Sequence, residues 1–173
     1  MNFPEYMVLM QTETVPVLIA FARMGVACLL GAAIGFEREH RNRSAGLRTH
    51  MLVALAAAVF TLLMLEIVRS PMFDAQTVRV DPLRIIEAVT GGVAFLAAGA
   101  IIQSRGRVHG LTTGAGLWLA GALGTASGLG YGVIAAMATG LGLIVIIALR
   151  WIENAIWGRE NPHPSKGADN AEP

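Results

Sequence analysis

Five apolar runs separated by short polar stretches dominate the chain, at 17–36, 51–68, 85–102, 111–129 and 131–149. Each holds roughly 18–20 residues, and at about 1.5 Å of rise per residue such a helix crosses a hydrocarbon core of about 30 Å. The pattern predicts an all-α, polytopic transmembrane bundle of about five spans. Only Gly128-Leu129-Gly130-Tyr131-Gly132 parts the last two runs. That stretch suits either a tight helical hairpin or an irregular break buried among neighbouring helices, the second giving four spans and a re-entrant element. Ahead of the third run, Asp81-Pro82 supplies a capping carboxylate and a residue suited to the first helical turn, so a helix is expected to begin there. Three parts follow: an outer segment over 1–16, the transmembrane part over 17–150, and an interfacial and disordered tail over 151–173. In the tail, Trp151 and Trp157 suit the headgroup region, and the polar stretch beyond Gly158 has too little apolar surface to form a core.

Basic residues then orient the spans, because cytoplasmic loops carry an excess of Lys and Arg. Arg38, Arg41, Arg43, Arg48, Arg105, Arg107, Arg150, Arg159 and Lys166 fall on one side of a five-span chain, against Arg69, Arg79 and Arg84 on the other. The expectation is an N-terminus outside and a C-terminus inside. No Lys or Arg precedes Arg23, so the start lacks the basic region of a secretory signal and the first helix is expected to be retained. Composition agrees with a lipid environment: the 173 residues are 54% hydrophobic and 14% charged, with a mean hydropathy of +0.58. A net charge of +1, with no basic block interleaved with aromatics, argues against a nucleic-acid partner. The single cysteine, Cys28, excludes an internal disulfide and a thiolate zinc site.

Little in the sequence suggests catalysis, since the usual nucleotide, zinc, acyl-transfer and redox signatures do not occur. No cofactor and no enzymatic activity are expected. Small residues four apart, Gly31 and Gly35, Gly124 and Gly128, Ala136 and Gly140, together with Gly91, Gly92 and Gly99, point to close helix packing, with homo-oligomer contacts or a hinge as the other uses. Arg23 and Glu87 are charges inside spans, each roughly 8–9 Å from the outer end of its helix. They suit either an ion pair between the first and third helices or separate snorkelling to the headgroups. Glu66, Asp81 and Glu87 near the outer boundary are weak candidates for an Mg²⁺ or Ca²⁺ site, with Arg69 and Arg84 available to neutralise them. The inner loop at 37–50 contains Glu37, Arg38, Arg48 and Thr49, and suits either a topology signal on anionic lipid or a docking surface for a protein. His40, His50 and His109 are expected at the solvated interface.

Several stretches resemble the MgtC/SapB family of membrane proteins. They are Arg23 followed by Leu30-Gly31-Ala32-Ala33-Ile34-Gly35-Phe36-Glu37-Arg38-Glu39, then Ala45-Gly46-Leu47-Arg48-Thr49-His50-Met51-Leu52-Val53-Ala54-Leu55. Asp81-Pro82-Leu83-Arg84 leading to Phe95-Leu96-Ala97-Ala98-Gly99, and Gly110-Leu111-Thr112-Thr113 leading to Leu117-Trp118, extend the likeness. Ala94 and Ala97 stand where many members have Gly, and Ala88 where many have Gln, with Glu87 one position earlier. The likeness is therefore to a variant branch, and to a short form without the soluble C-terminal domain of longer members. It implies a multi-pass protein of the bacterial inner membrane, regulatory rather than enzymatic, tied to adaptation to low magnesium and to virulence. The proton-translocating ATP synthase is an implied partner, and an Mg²⁺ transporter or channel component is the alternative role. For a regulator, Arg38, Arg48 and Thr49 at the inner face and Asp81 at the outer cap are the expected working residues.

Overall fold

A computed structural model describes residues 15–41, 43–69, 81, 83–104 and 107–157. The expectations placed on the outer segment before Val15, on the loop between Arg69 and Asp81, and on the tail beyond Trp157 lie outside the described residues. Among the described residues five helices form: α1 (Val17–His40), α2 (Leu47–Arg69), α3 (Leu83–Gly99), α4 (Leu111–Leu129) and α5 (Gly132–Trp157). Three of them, over Val17–His40, Leu47–Val68 and Gly132–Leu149, are long and apolar enough to cross a membrane. α3 is a 17-residue helix, and the hydropathy of α4 is diluted by Gly114, Gly116, Gly121, Gly124 and Gly128.

α4 is nevertheless the centre of the molecule. It packs against every other helix, and its buried face runs through Leu117, Ala120 and Leu123 between those glycines. The reason is steric. A Cβ on Gly124 would run into the Ala54 carbonyl oxygen of α2, and one on Gly128 would lie 2.9 Å from the Ala58 oxygen and 2.8 Å from the Thr61 Cβ. In lipid, where apolar burial gains little, backbones brought this close supply the dispersion contacts that hold helices together. α1 and α2 meet the same way: a Cβ on Gly31 would fall 2.7 Å from the His50 carbonyl oxygen, and one on Gly35 2.8 Å from the Leu47 Cα. The other small residues behave differently, since Gly91, Gly92, Gly99 and Gly140 have open space where a Cβ would stand. Among the described residues these four have no packing neighbour where a side chain would stand, so close packing within the bundle accounts for only part of the small-residue pattern.

These contacts fix helix direction. Gly31 and Gly35 meet progressively earlier residues of α2, so α1 and α2 are antiparallel; Gly116, Gly124 and Gly128 meet progressively later ones, so α2 and α4 run parallel. The loop between α1 and α2, the α3–α4 connection and the end of α5 thus gather at one end of the bundle. At the other end α4 closes on Gly130, whose φ of +92° is open to glycine but strained for other residues. The Gly130 N–H reaches the Ser127 carbonyl and the Tyr131 N–H the Ala126 carbonyl at 2.8 Å, as in a Schellman ending. A tight turn into α5 therefore stands at the uncertain Gly128 to Gly132 stretch.

Two boundaries depart from the sequence pattern. The third apolar run ends early: α3 stops at Gly99, and Ile102–Ser104 forms β1, antiparallel to β2 (Arg107–His109) with Gln103 opposite Val108. Gly110, at φ +90°, turns the chain from this hairpin into α4 beside the Ala100 carbonyl. α5 continues past the fifth apolar run, which ends at Leu149, without a break to Trp157.

Candidate functional site at the polar end of the bundle

The end of the bundle that carries the α1–α2 loop concentrates the polar side chains predicted to act. α1 ends in Glu37-Arg38-Glu39-His40, and helical spacing separates the fates of these residues. Arg38 turns inward and is only 4% exposed, at the level where α1 and α2 touch. Its Nε lies 3.3 Å from Glu37 Oε2, while Glu37 Oε1 lies 3.7 Å from Arg41 Nε one turn on. Glu37 is thus a carboxylate shared between a buried and an exposed arginine. Glu39 reaches forward across the loop, where its Oε2 accepts the Leu47 N–H at 2.9 Å. That bond satisfies one of the open donors at the start of α2 and places an acidic group at the positive end of its dipole.

His50 is fully buried, contrary to the expectation of a solvated interfacial histidine, whereas His40 and His109 are exposed. Its Nδ1 lies 2.9 Å from the Gly46 carbonyl one turn back, and the tautomer with its proton on Nδ1 donates there. Nε2 is then an acceptor with no hydrogen-bond partner among the described residues. It faces Gly116 of α4, where a Cβ would come within 2.9 Å. The signal for this burial was present as Gly46 four residues before His50 and as Gly31 and Gly35 opposite, since only glycines leave room for an imidazole between three backbones. Arg48 points out to solvent beside it, and Thr49 is half-buried at the mouth of two apolar recesses. The structure therefore divides the loop signature: Glu37 and Arg38 turn into the bundle end, Arg48 stays outside, and Thr49 lies between.

The charges at the opposite end do not converge. Arg23 is half-buried and its Nη1 donates to the Gly128 carbonyl at 2.9 Å, so it closes the C-terminus of α4 as a cation at the negative end of a helix dipole. Of the two readings for Arg23 and Glu87, the ion pair does not form: α4 stands between α1 and α3, and Glu87 is exposed on α3. Asp81 Oδ1 accepts the Leu83 N–H at 3.0 Å at the start of α3, and Glu66 Oε1 accepts the Val15 N–H at 2.9 Å, tying the chain ahead of α1 to α2. The weak metal candidates Glu66, Asp81 and Glu87 are thus not brought together. Among the described residues no group of three or more His, Cys, Asp or Glu converges on a point.

Long apolar helices joined through small residues, with charged side chains kept near the helix ends, fit a helical membrane protein. Comparison with known proteins makes this specific: the MgtC family pattern matches residues 24–155, and the chain belongs to that family. It is 42% identical to the MgtC protein of Salmonella typhimurium over 125 residues, 72% of this chain and 49% of that protein. It is 40% identical to MgtC of Brucella suis over 124 residues, again 72% of this chain and 48% of the relative. Protein SrpB of Synechococcus elongatus is 33% identical over 148 residues, 80% of this chain and 79% of SrpB. The chain spans about half the length of the MgtC relatives it matches. No solved structure matches it.

Proposed function

We propose that this chain is a non-enzymatic regulator in the bacterial inner membrane. It crosses five times with its N-terminus outside, acts through helix contacts and through the loop end carrying Arg38 and Arg48, and serves adaptation to low magnesium. The observation that favours a regulator over a carrier is the use made of the bundle's inner hydroxyls. Buried Thr61, Thr125, Ser127 and Thr139 donate to the carbonyls of Ala57, Gly121, Leu123 and Ala135, each four residues back on its own helix, at 2.7–3.0 Å. Hydroxyls bonded to their own backbone are not arrayed along a path that would replace the hydration shell of an ion. Exposed Arg48, with Arg41 and Arg43 on the adjoining loop, instead leaves basic charge on one surface, which suits a membrane-protein partner. The family resemblance offers the ATP synthase as such a partner, and a role in virulence where the host restricts magnesium.

Reconstitution of the full chain in liposomes containing an Mg²⁺-sensitive dye, paired with growth of a deletion strain at low magnesium, tests the reading. A regulator gives no Mg²⁺ influx above protein-free liposomes and loses complementation in Arg48→Glu. Influx that scales with protein reconstituted establishes the divalent-cation transporter instead.

A further inference from the structure

An apolar groove lies between α2 and α3, which touch each other only slightly and part above their shared contacts with α4. Its volume is about 700 Å³. Val53, Ala57, Val89 and Val93 form its buried floor, and exposed Leu52 and Phe60 form part of its rim. It runs along α2 from Arg48 to Phe60, a length of roughly 18 Å at the helical rise. That is close to the depth of one leaflet, about half of a 30 Å hydrocarbon core. Gly92 lines the groove with open space where a side chain would stand.

The ends of the groove differ. One is wholly apolar at Phe60 and Ile85, and the other carries exposed Arg48 beside Thr49. Arg48 takes no part in the ion pairs of Glu37 with Arg38 and Arg41, and it lines the groove with its side chain exposed. A second recess of about 560 Å³ shares Thr49 and Leu96 and extends to Ser44 in the loop, which gives a polar headgroup room. A leaflet-deep apolar slot that ends at an arginine and a hydroxyl matches one molecule with an acyl chain and an anionic phosphate. Guanidinium binds phosphate through paired, charge-assisted hydrogen bonds.

We infer that the α2–α3 groove is a specific site for an anionic phospholipid, with one acyl chain against Val53, Val89 and Gly92 and its phosphate on Arg48 and Thr49. The lipid completes the packing between two helices that the chain itself leaves apart. α3 is thereby held to α2 through a ligand, and the lipid charge of the leaflet becomes an input to the position of α3. The inference rests on the bilayer placement proposed above.

Native mass spectrometry of the full chain in detergent, titrated with dioleoyl phosphatidylglycerol or dioleoyl phosphatidylethanolamine, tests it. Retention in the membrane fraction after an alkaline wash reads bilayer placement separately from lipid binding. The parent should hold one phosphatidylglycerol and prefer it about tenfold over phosphatidylethanolamine, a difference set by the phosphate–guanidinium contact and net headgroup charge. Gly92→Leu fills the groove and should lower bound lipid about fivefold or more, whereas Gly91→Leu, equally unobstructed but outside the groove lining, should leave it unchanged. Arg48→Gln should erase the headgroup preference and Arg48→Lys keep part of it. Equal lipid retention by parent and Gly92→Leu overturns the inference, as does an unchanged preference in Arg48→Gln. A lipid-free dimer that Gly92→Leu converts to monomer overturns it too, by showing a second copy in the groove.

Discussion

At the scale of single residues, the decisive property is the space behind each glycine. Gly124 and Gly140 are both helical, but the first is pressed against the Ala54 backbone and the second faces open space. Gly124→Val should therefore lower stability by about 3 kcal/mol or more through overpacking. Gly140→Val should stay within about 1 kcal/mol, the difference being read by unfolding in mixed micelles. His50 and Gly116 offer a sharper test, because the imidazole fills the space that the missing Cβ leaves. Gly116→Ala should destabilise the parent yet be tolerated better in a His50→Ala background, with a coupling above about 0.5 kcal/mol in a double-mutant cycle. Sequence made the glycines visible without separating these cases, since four-residue spacing is the same in Gly124/Gly128 as in Ala136/Gly140. The glycines at 31, 35 and 46 were legible as well, but the meeting of three backbones at one level, which buries His50, was not.

At the scale of helices, the ends matter more than the middles. Arg23 joins α1 to the last carbonyls of α4. Arg23→Ala should cost about 1.5–3 kcal/mol, the range for a hydrogen bond to a charged group, and loosen the turn at Gly130. Faster hydrogen exchange at Gly130 and Tyr131 is the expected readout. Asp81→Ala should act locally, costing about 1 kcal/mol and fraying the first turn of α3 without changing exchange in α4. Helix existence was legible because each run is apolar over the length of a span. Helix limits were not, and the third run shows why: Ile101 and Ile102 continue the apolar pattern past Gly99, yet the chain there enters a hairpin closed by Gly110. Short apolar stretches suit strand and helix alike, and the partner strand that decides between them carries Arg107 and His109. Arg23 was legible as an unusual charge, but its partner was a backbone carbonyl, which no side-chain pattern announces.

At the scale of the whole molecule, the bundle is arranged around a helix that is not among its three strongest candidate spans. Hydropathy ranks α4 below α1, α2 and α5 as a span, yet α4 touches all of its neighbours and holds the most buried glycines. The same glycines, Thr113 and Ser127 that lower its affinity for lipid allow the other helices to close on it. This has a consequence for how the protein is made. A segment so poor in large apolar side chains gains little by partitioning alone from the translocation channel into the bilayer. The turn at Gly130 ties it to α5, whose apolar stretch is strong, so the two should enter as a pair. Placing a glycosylation acceptor beyond α4 in a truncated chain, and comparing it with the full-length protein in microsomes, should show α4 left outside the membrane when α5 is missing. The helix that organises the finished bundle would then be the one that depends on a later-synthesised companion to reach it.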